Sequence, residues 1–448
     1  MNTISAPNPI SIGQTSKRWG YFKDLASIVC SRESTYRTAL DITAFDLPTM
    51  TADAFRGIKK FLESVFEGLC ATVSIGLAPI ITTYVGKILA KFVLKDKELE
   101  KDAINLLKFN MNELRNYDDF KAAIERIKKE ESEDKNFVAS LYERTGKIDT
   151  ANKYKEQAKE IQGFCENFQA SEELRKKIYK LKKATIIGES FVEGGFWGSY
   201  GLLLRLFRKH VLREDRFTGT KGYASDTESE QLGETGDMNL FQKIVGVACI
   251  FISPVINSIL LTKAEDDRAV KNSKFLSTVR EQIDMTHGVY PKLGLLFTWT
   301  SIPKWLGAII TAQGWYERVE RILKLLTVLP SWWMGHRVTN GLFAKHADNE
   351  LAKKYNNEGG ILVEPDYLKP INKEDSLMSK LEKRFPEPAR IQHVINKTEG
   401  NKQLQDEAED KHARCLYKGF AMHSLLVWVI NMGVNYITKL RVKHALGE

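Results

Sequence analysis

Glu189 and Glu193 stand four residues apart in the stretch GESFVEGGFWGSYGLLLRLFRKH (188–210), an apolar, glycine-rich segment of nearly membrane length. On a helix this spacing stacks the two acids on one stripe with Phe196 and Tyr200. Gly194, Gly198 and Gly201 fall on nearly the opposite face, and Gly194-xxx-Gly198 has the spacing that lets two helix backbones approach closely. A carboxylate at the centre of a bilayer costs about 2.5–3.5 kcal/mol, and a second like charge one turn away adds to that. Three arrangements would relieve the cost. The acids line an ion or proton path. They pair with a buried cation, for which Lys304 and His423, both inside apolar runs, are the candidates. Or they lie on an interfacial helix and face headgroups and water, which demands the least special arrangement.

A basic cluster follows directly: Arg205, Arg208, Lys209, Arg213 and Arg216. Beside an apolar run, such a cluster attracts anionic lipid with about 1 kcal/mol per residue near the surface. The whole chain is also basic, with 66 Lys+Arg against 57 Asp+Glu. Nucleic-acid binding would call for basic residues interleaved with exposed aromatics, or a known recognition fold, and neither pattern is evident. Anionic membrane lipid is therefore the expected partner, and nucleic acid is not.

Other chemistries find little support in the residues. The five cysteines are scattered and form no CxxC, and the eight histidines never pair as HxxxH or HExxH, so no metal site is expected. GxxxxGK[ST], GxSxG and a strand-flanked GxGxxG are absent, so the sequence calls for no nucleotide, no cofactor and no catalytic residue. The acidic loop 217–237 lacks the oxygen spacing of a calcium loop, and the sequon at Asn396 has meaning only on a lumenal face.

The elements that must carry these residues are apolar runs. Residues 68–86 and 244–262 each run nineteen residues without Asp, Glu, Lys or Arg, and 419–438 runs twenty. At 1.5 Å per residue each spans roughly 28–30 Å, about the hydrocarbon thickness of a bilayer. Two weaker runs, 293–315 and 325–344, carry Lys304 and the pair His336–Arg337. Soluble core helices seldom run so long without a charge, because one face meets water. Pro79 and Pro254 fall mid-run, which bilayer helices tolerate, and Trp197, Trp299, Trp315, Trp332 and Trp333 cluster near run ends as interfacial aromatics do. Basic residues flank the runs at both ends, so no orientation follows.

The expected organisation is a polar tail (1–50), a first apolar helical segment (51–94) and a charged soluble helical insert (95–183). Membrane-associated helices (184–345), a charged loop and helix segment (346–415) and a C-terminal apolar helix with a basic end (416–448) follow. The insert shows apolar positions at helical spacing, complete without the apolar runs, so it reads as an independent module able to present a surface to a protein partner. Within it Tyr142, Gly146, Ala151 and Ala158 match part of a tetratricopeptide hairpin, but a single copy reads as a generic helical pair. A short helix is expected around 377–381.

No alternation persists long enough for a sheet. The expected fold is all-α: a multi-helix membrane-embedded or membrane-associated protein with charged helical inserts. The expected role is structural, a scaffold or anchor with anionic-lipid contact. The alternative is a transporter or channel using Glu189 and Glu193, with a lipid-acting enzyme third.

Overall fold

The computed structural model describes residues 12–31, 33–214, 216–220, 223–225, 227–228, 232, 238–273, 275–276, 285–286, 290–291, 301–331, 335–363, 370–372, 380, 383–386 and 388–447. In chain order the helices are α1 (Ile12–Val29), α2 (Glu33–Leu40), α3 (Leu47–Ala54), α4 (Ile58–Val93), α5 (Lys97–Lys101) and α6 (Ala103–Leu106). Next come α7 (Tyr117–Arg126), α8 (Ser132–Arg144), α9 (Ile148–Asn167), α10 (Glu172–Phe207), α11 (Leu240–Ala248) and α12 (Ile252–Glu265). The last are α13 (Asp267–Asn272), α14 (Ser301–Ile310), α15 (Trp315–Pro330), α16 (Leu342–Tyr355), α17 (Ile391–Lys397) and α18 (Lys402–Leu446). Among the described residues, strand pairing is confined to Met285–Thr286 against Tyr290–Pro291 and one bridge, Val363 to Pro388. The fold is all-α.

Local signals explain where the helices begin. Ser171 Oγ accepts from Leu174 N at 3.1 Å, and Glu172 and Glu173 follow in the first turn of α10, where the helix dipole favours negative charge. Asn239 and Gln242 form a reciprocal capping box at α11. Gly57, at φ 110°, lets the chain turn into α4 through a conformation that side chains disfavour.

The chain divides into two compact units. The first comprises 1–39, 134–157 and 334–423. Its core joins Leu141 of α8 to Ala344 and Leu351 of α16, Ile391 and Val394 of α17, and Leu404 and Ala408 of α18. Asp348 ties down the loop after α16, accepting from the backbone N–H groups of Gly360, Ile361 and Leu362 at 2.7–2.8 Å. A second cluster packs Ala26 of α1 against Ala413 and Leu416 of α18. Residues 12–50 are thus largely helical and in part buried, not a polar tail, because α1 has an apolar partner that lies far away in sequence.

The second unit comprises 40–133, 158–333 and 424–448. One core cluster packs Leu106, Leu107, Phe109, Leu114, Phe120 and Ile127 against Ala90 and Leu94 of α4 and Ile178 and Leu181 of α10. The expectation that 95–183 is a module of its own therefore fails in this fold. Its apolar positions are filled by the flanking long helices, and residues 134–157 belong to the first unit. The tetratricopeptide-like residues form a plain helical hairpin: Gly146 turns at φ 75°, and Tyr142 stacks on Tyr154 with centroids 5.5 Å apart.

Several expected elements change shape. The weak run 293–315 does not continue as one helix, since α14 ends at Ile310 and Trp315 starts α15. Phe217, Thr218 and Thr220, at the start of the acidic loop, are buried. The short helix at 377–381 lies outside the described residues except Lys380, as do Trp299, Trp332 and Trp333.

Candidate functional site in the helical core

The second unit is organised around α10. Phe207 stacks on Phe66 at 4.3 Å, Trp197 Nε1 donates to Ser74 Oγ at 2.9 Å, and Gly86 lies beside Thr185. These pairings run in opposite chain directions, so α4 and α10 are antiparallel. The helix α12 is antiparallel to α10 as well, with Gly198 against Cys249, Gly194 against Ser253, and Asn257 Nδ2 donating to Ser190 Oγ at 2.6 Å. By the same test α14 runs parallel to α10, since Trp197 meets Lys304 and Arg205 Nε donates to the Thr311 carbonyl at 2.7 Å.

Gly194, Gly198 and Gly201 lie where backbones meet. A Cβ on Gly198 would overlap the Cys249 carbonyl, one on Gly194 would overlap Ser253, and one on Gly201 would overlap Thr311 and come within 2.6 Å of the Gly307 oxygen. Gly307 returns the contact, its own Cβ position lying 2.8 Å from the Gly198 oxygen.

The opposite stripe of α10 turns Glu189 and Glu193 toward α4. Glu189 is fully buried and Glu193 is 2 % exposed. Ser74 Oγ donates to Glu193 Oε2 while accepting from Trp197, and Glu189 sits beside Thr82. No cation among the described residues forms an ion pair with either acid. Two expectations are corrected here. The acids do not face headgroups or water, because the stripe that carries them is the one packed on α4. Nor is Lys304 their counter-ion: its Nζ pairs with Glu67 at 2.7 Å and lies over the rings of Trp197, Tyr200 and Trp305. His423 is fully buried against Gly335 in the first unit. Trp197 is a core residue at 2 % exposure, whereas Trp315 is exposed.

The basic cluster separates into different environments. Arg208 is 1 % exposed and grips Glu63 with two bonds, Nε to Oε2 at 2.7 Å and Nη2 to Oε1 at 2.9 Å. It also donates to Glu317 at 2.7 Å and to Gln313 at 2.6 Å. It is therefore a core ion, not a headgroup contact. Arg205 is half-buried on the Thr311 carbonyl, Arg216 is half-buried, and Lys209 and Arg213 are exposed.

Arg208 belongs to a buried ionic network that sequence reading missed. Arg56 makes a two-pronged pair with Glu320 at 2.8–2.9 Å and donates to the Gly219 carbonyl. Lys60 pairs with Glu63 at 2.7 Å, Arg321 lies 3.3 Å from Glu63 and 3.5 Å from Glu67, and Lys324 lies 3.3 Å from Asp53 and 3.5 Å from Glu320. Phe217 lies beneath Arg56, Lys60 and Arg208 at 5.1–5.8 Å. Burial pushes the Glu63 carboxyl up, but Arg208, Lys60 and Arg321 together outweigh it and hold it well below the ordinary glutamate range. Glu317 is held low in the same way by Arg208 and Arg321. A signal for the network was present in the helix-like spacing of Asp53, Arg56, Lys60, Glu63 and Glu67, which the turn at Gly57 divides between α3 and α4, and in Glu317, Glu320, Arg321 and Lys324 on one stripe of α15.

The arrangement offers two kinds of chemistry. The network is fully paired and locks α3, α4, α15 and the segment after α10 together. The Glu189–Glu193 pair has hydroxyl neighbours and no paired cation among the described residues, so it can take up a proton or a cation. Comparison of the chain with protein-family models, with curated proteins and with solved structures finds no match.

Proposed function

We propose that this protein is a helical membrane-embedded scaffold that holds its charged helices at a bilayer surface. The observation carrying this reading is an inverted distribution of polarity. Helix α4 exposes Leu69, Val73, Leu77, Ile80, Tyr84 and Ile88 on one stripe about 28 Å long, while it buries Glu63, Ser74 and Thr82. The α11–α12 rod exposes Leu240, Ile244, Val247, Phe251, Val255 and Ile259 and buries Ser253 and Asn257. The end of α18 exposes Leu425, Leu426, Val429, Tyr436, Ile437 and Leu440 and buries Asn431, Asn435 and Thr438. In water the hydrophobic effect favours the reverse placement, whereas hydrocarbon accepts the apolar stripe and requires polar groups to be satisfied inside. Residues 240–264 and 402–446 also form helices long and apolar enough to cross a membrane. Exposed Lys209 and Arg213 remain available to anionic lipid, and the charged helices of 95–183 offer a surface to a protein partner.

Alkaline carbonate extraction of membranes should leave the full-length protein in the pellet, with release only by detergent. A monodisperse protein purified without detergent would overturn the membrane reading.

A second reading is favoured by the burial of Glu189 and Glu193 with no paired cation among the described residues: a proton or cation path through the core. Replacing both with Gln keeps their shape and removes the titrating groups. Proton flux in proteoliposomes should then fall to background with little change in thermal stability. A wild type without flux, or a double variant with full flux, removes this reading and leaves the acids as buried packing groups.

A further inference from the structure

A cleft of about 360 Å³ in the second unit is lined by Arg115, Arg175, Lys176, Tyr179, Lys180 and Asp267. Four cations and one acid line it, with Glu172 at its edge paired to Arg175 and lying 3.6 Å from Lys176. We propose that it binds a phosphate-bearing anion, presented as the headgroup of an anionic lipid.

Its place in the fold supports the lipid as source. The antiparallel packing of α10 with α4 and with α12 brings together the start of α10 and the ends of α4 and α12. Arg115 Nη1 donates to the carbonyl of Ala264, in the last turn of α12, at 3.3 Å. The cleft therefore sits where the apolar rod 240–264 ends. Exposed Lys87, Lys91 and Lys263 lie on the same end of these helices. The lipid source rests on the membrane reading; the phosphate site itself does not.

The cleft is also built for an anion. Arg175 donates to Glu172 at 2.5 and 2.8 Å and to the Arg115 carbonyl at 2.8 Å, which fixes one wall. The Arg115 Nε–H is buried with no hydrogen-bond acceptor among the described residues. A buried donor without an acceptor is costly, and a turn of the Arg115 side chain into the cleft would let a phosphoryl oxygen satisfy it. Lys176 and Lys180 stand one turn apart on the exposed side of α10, as point charges able to follow a mobile headgroup. The volume lies at the lower end of small-ligand sites, enough for a headgroup.

The test uses the full chain in neutral detergent, with native mass spectrometry counting bound phosphatidic acid against phosphatidylcholine. Wild type should retain phosphatidic acid selectively. Lys176→Gln with Lys180→Gln should lower its affinity by about 10- to 30-fold, from about 1 kcal/mol per basic residue. Lys121→Gln with Lys129→Gln, exposed lysines outside the cleft, makes the same change in net charge and should leave retention intact. Arg115→Gln should also lower retention while the protein stays folded by circular dichroism. Glycerol 3-phosphate, followed by calorimetry, forms the second arm. Cleft-dependent binding of this ester alone would keep the phosphate site and assign it a soluble ligand. The same binding by a protein that needs no detergent would reject the membrane reading and keep the site. Equal losses from the cleft and control pairs, or no binding of either probe, would overturn the proposal.

Discussion

Gly198→Ala should lower the thermal midpoint of the purified protein clearly, and Gly198→Val should prevent its accumulation. The built methyl overlaps the Cys249 carbonyl and lies 2.8 Å from Ile250 Cα, and backbone cannot swing aside as a side-chain tip can. Overpacking of this kind costs about 1–3 kcal/mol, and the larger valine costs more. The control is Gly163→Ala in α9, where nothing lies within 4 Å of the new methyl. There the exchange should be neutral or stabilising by up to about 1 kcal/mol, through better helix propensity. If the two alanine variants melt together, α10 and the α11–α12 rod do not meet at this glycine.

Arg208→Met should be the other severely damaging change. It deletes the cation from between Glu63 and Glu317 and leaves buried carboxylates short of charge, a loss of about 3–5 kcal/mol. A compensating Glu317→Gln in the same chain should recover part of that stability, since one of the stranded charges is then removed. Lys209→Met, on the next residue and exposed, should change stability by less than about 0.5 kcal/mol. The network also sets an acid limit. Glu63 and Glu317 titrate lower in the folded chain than their ordinary value of 4.5, so their contribution is complete above that value. It is lost as the pH falls from there through the lowered folded values. An Arg208→Met variant as stable as Lys209→Met would show that Arg208 does not sit in the core.

These two residues also show how far one-dimensional reading reaches. The basic cluster 205–216 reads as one patch only if neighbours in sequence share a face. On a helix, successive residues turn by about 100°, so Arg208 and Lys209 look in different directions. Extending the stripe of Glu189 and Glu193 through Trp197, Tyr200 and Leu204 arrives at Arg208, and all of these are buried. The inward direction of Arg208 was therefore legible, although its place in a basic cluster beside an apolar run suggested otherwise.

The helical character of the chain, the apolar runs and the close-packing spacing of Gly194, Gly198 and Gly201 follow from the sequence alone. They depend on local periodicity and on side-chain size, which a linear string carries in full. Partnership was decided only by the tertiary structure. Lys304 pairs with Glu67, 237 positions away, and Arg56 with Glu320, 264 away. Leu141 finds its core beside Leu351 and Ile391, which divides the segment 95–183 between two units. A charge is indifferent to which opposite charge satisfies it, so composition and spacing can require a partner without naming one. The packing of α10 against α4 selects which side chains meet, and that choice leaves Glu189 and Glu193 buried with hydroxyl neighbours and, among the described residues, no paired cation.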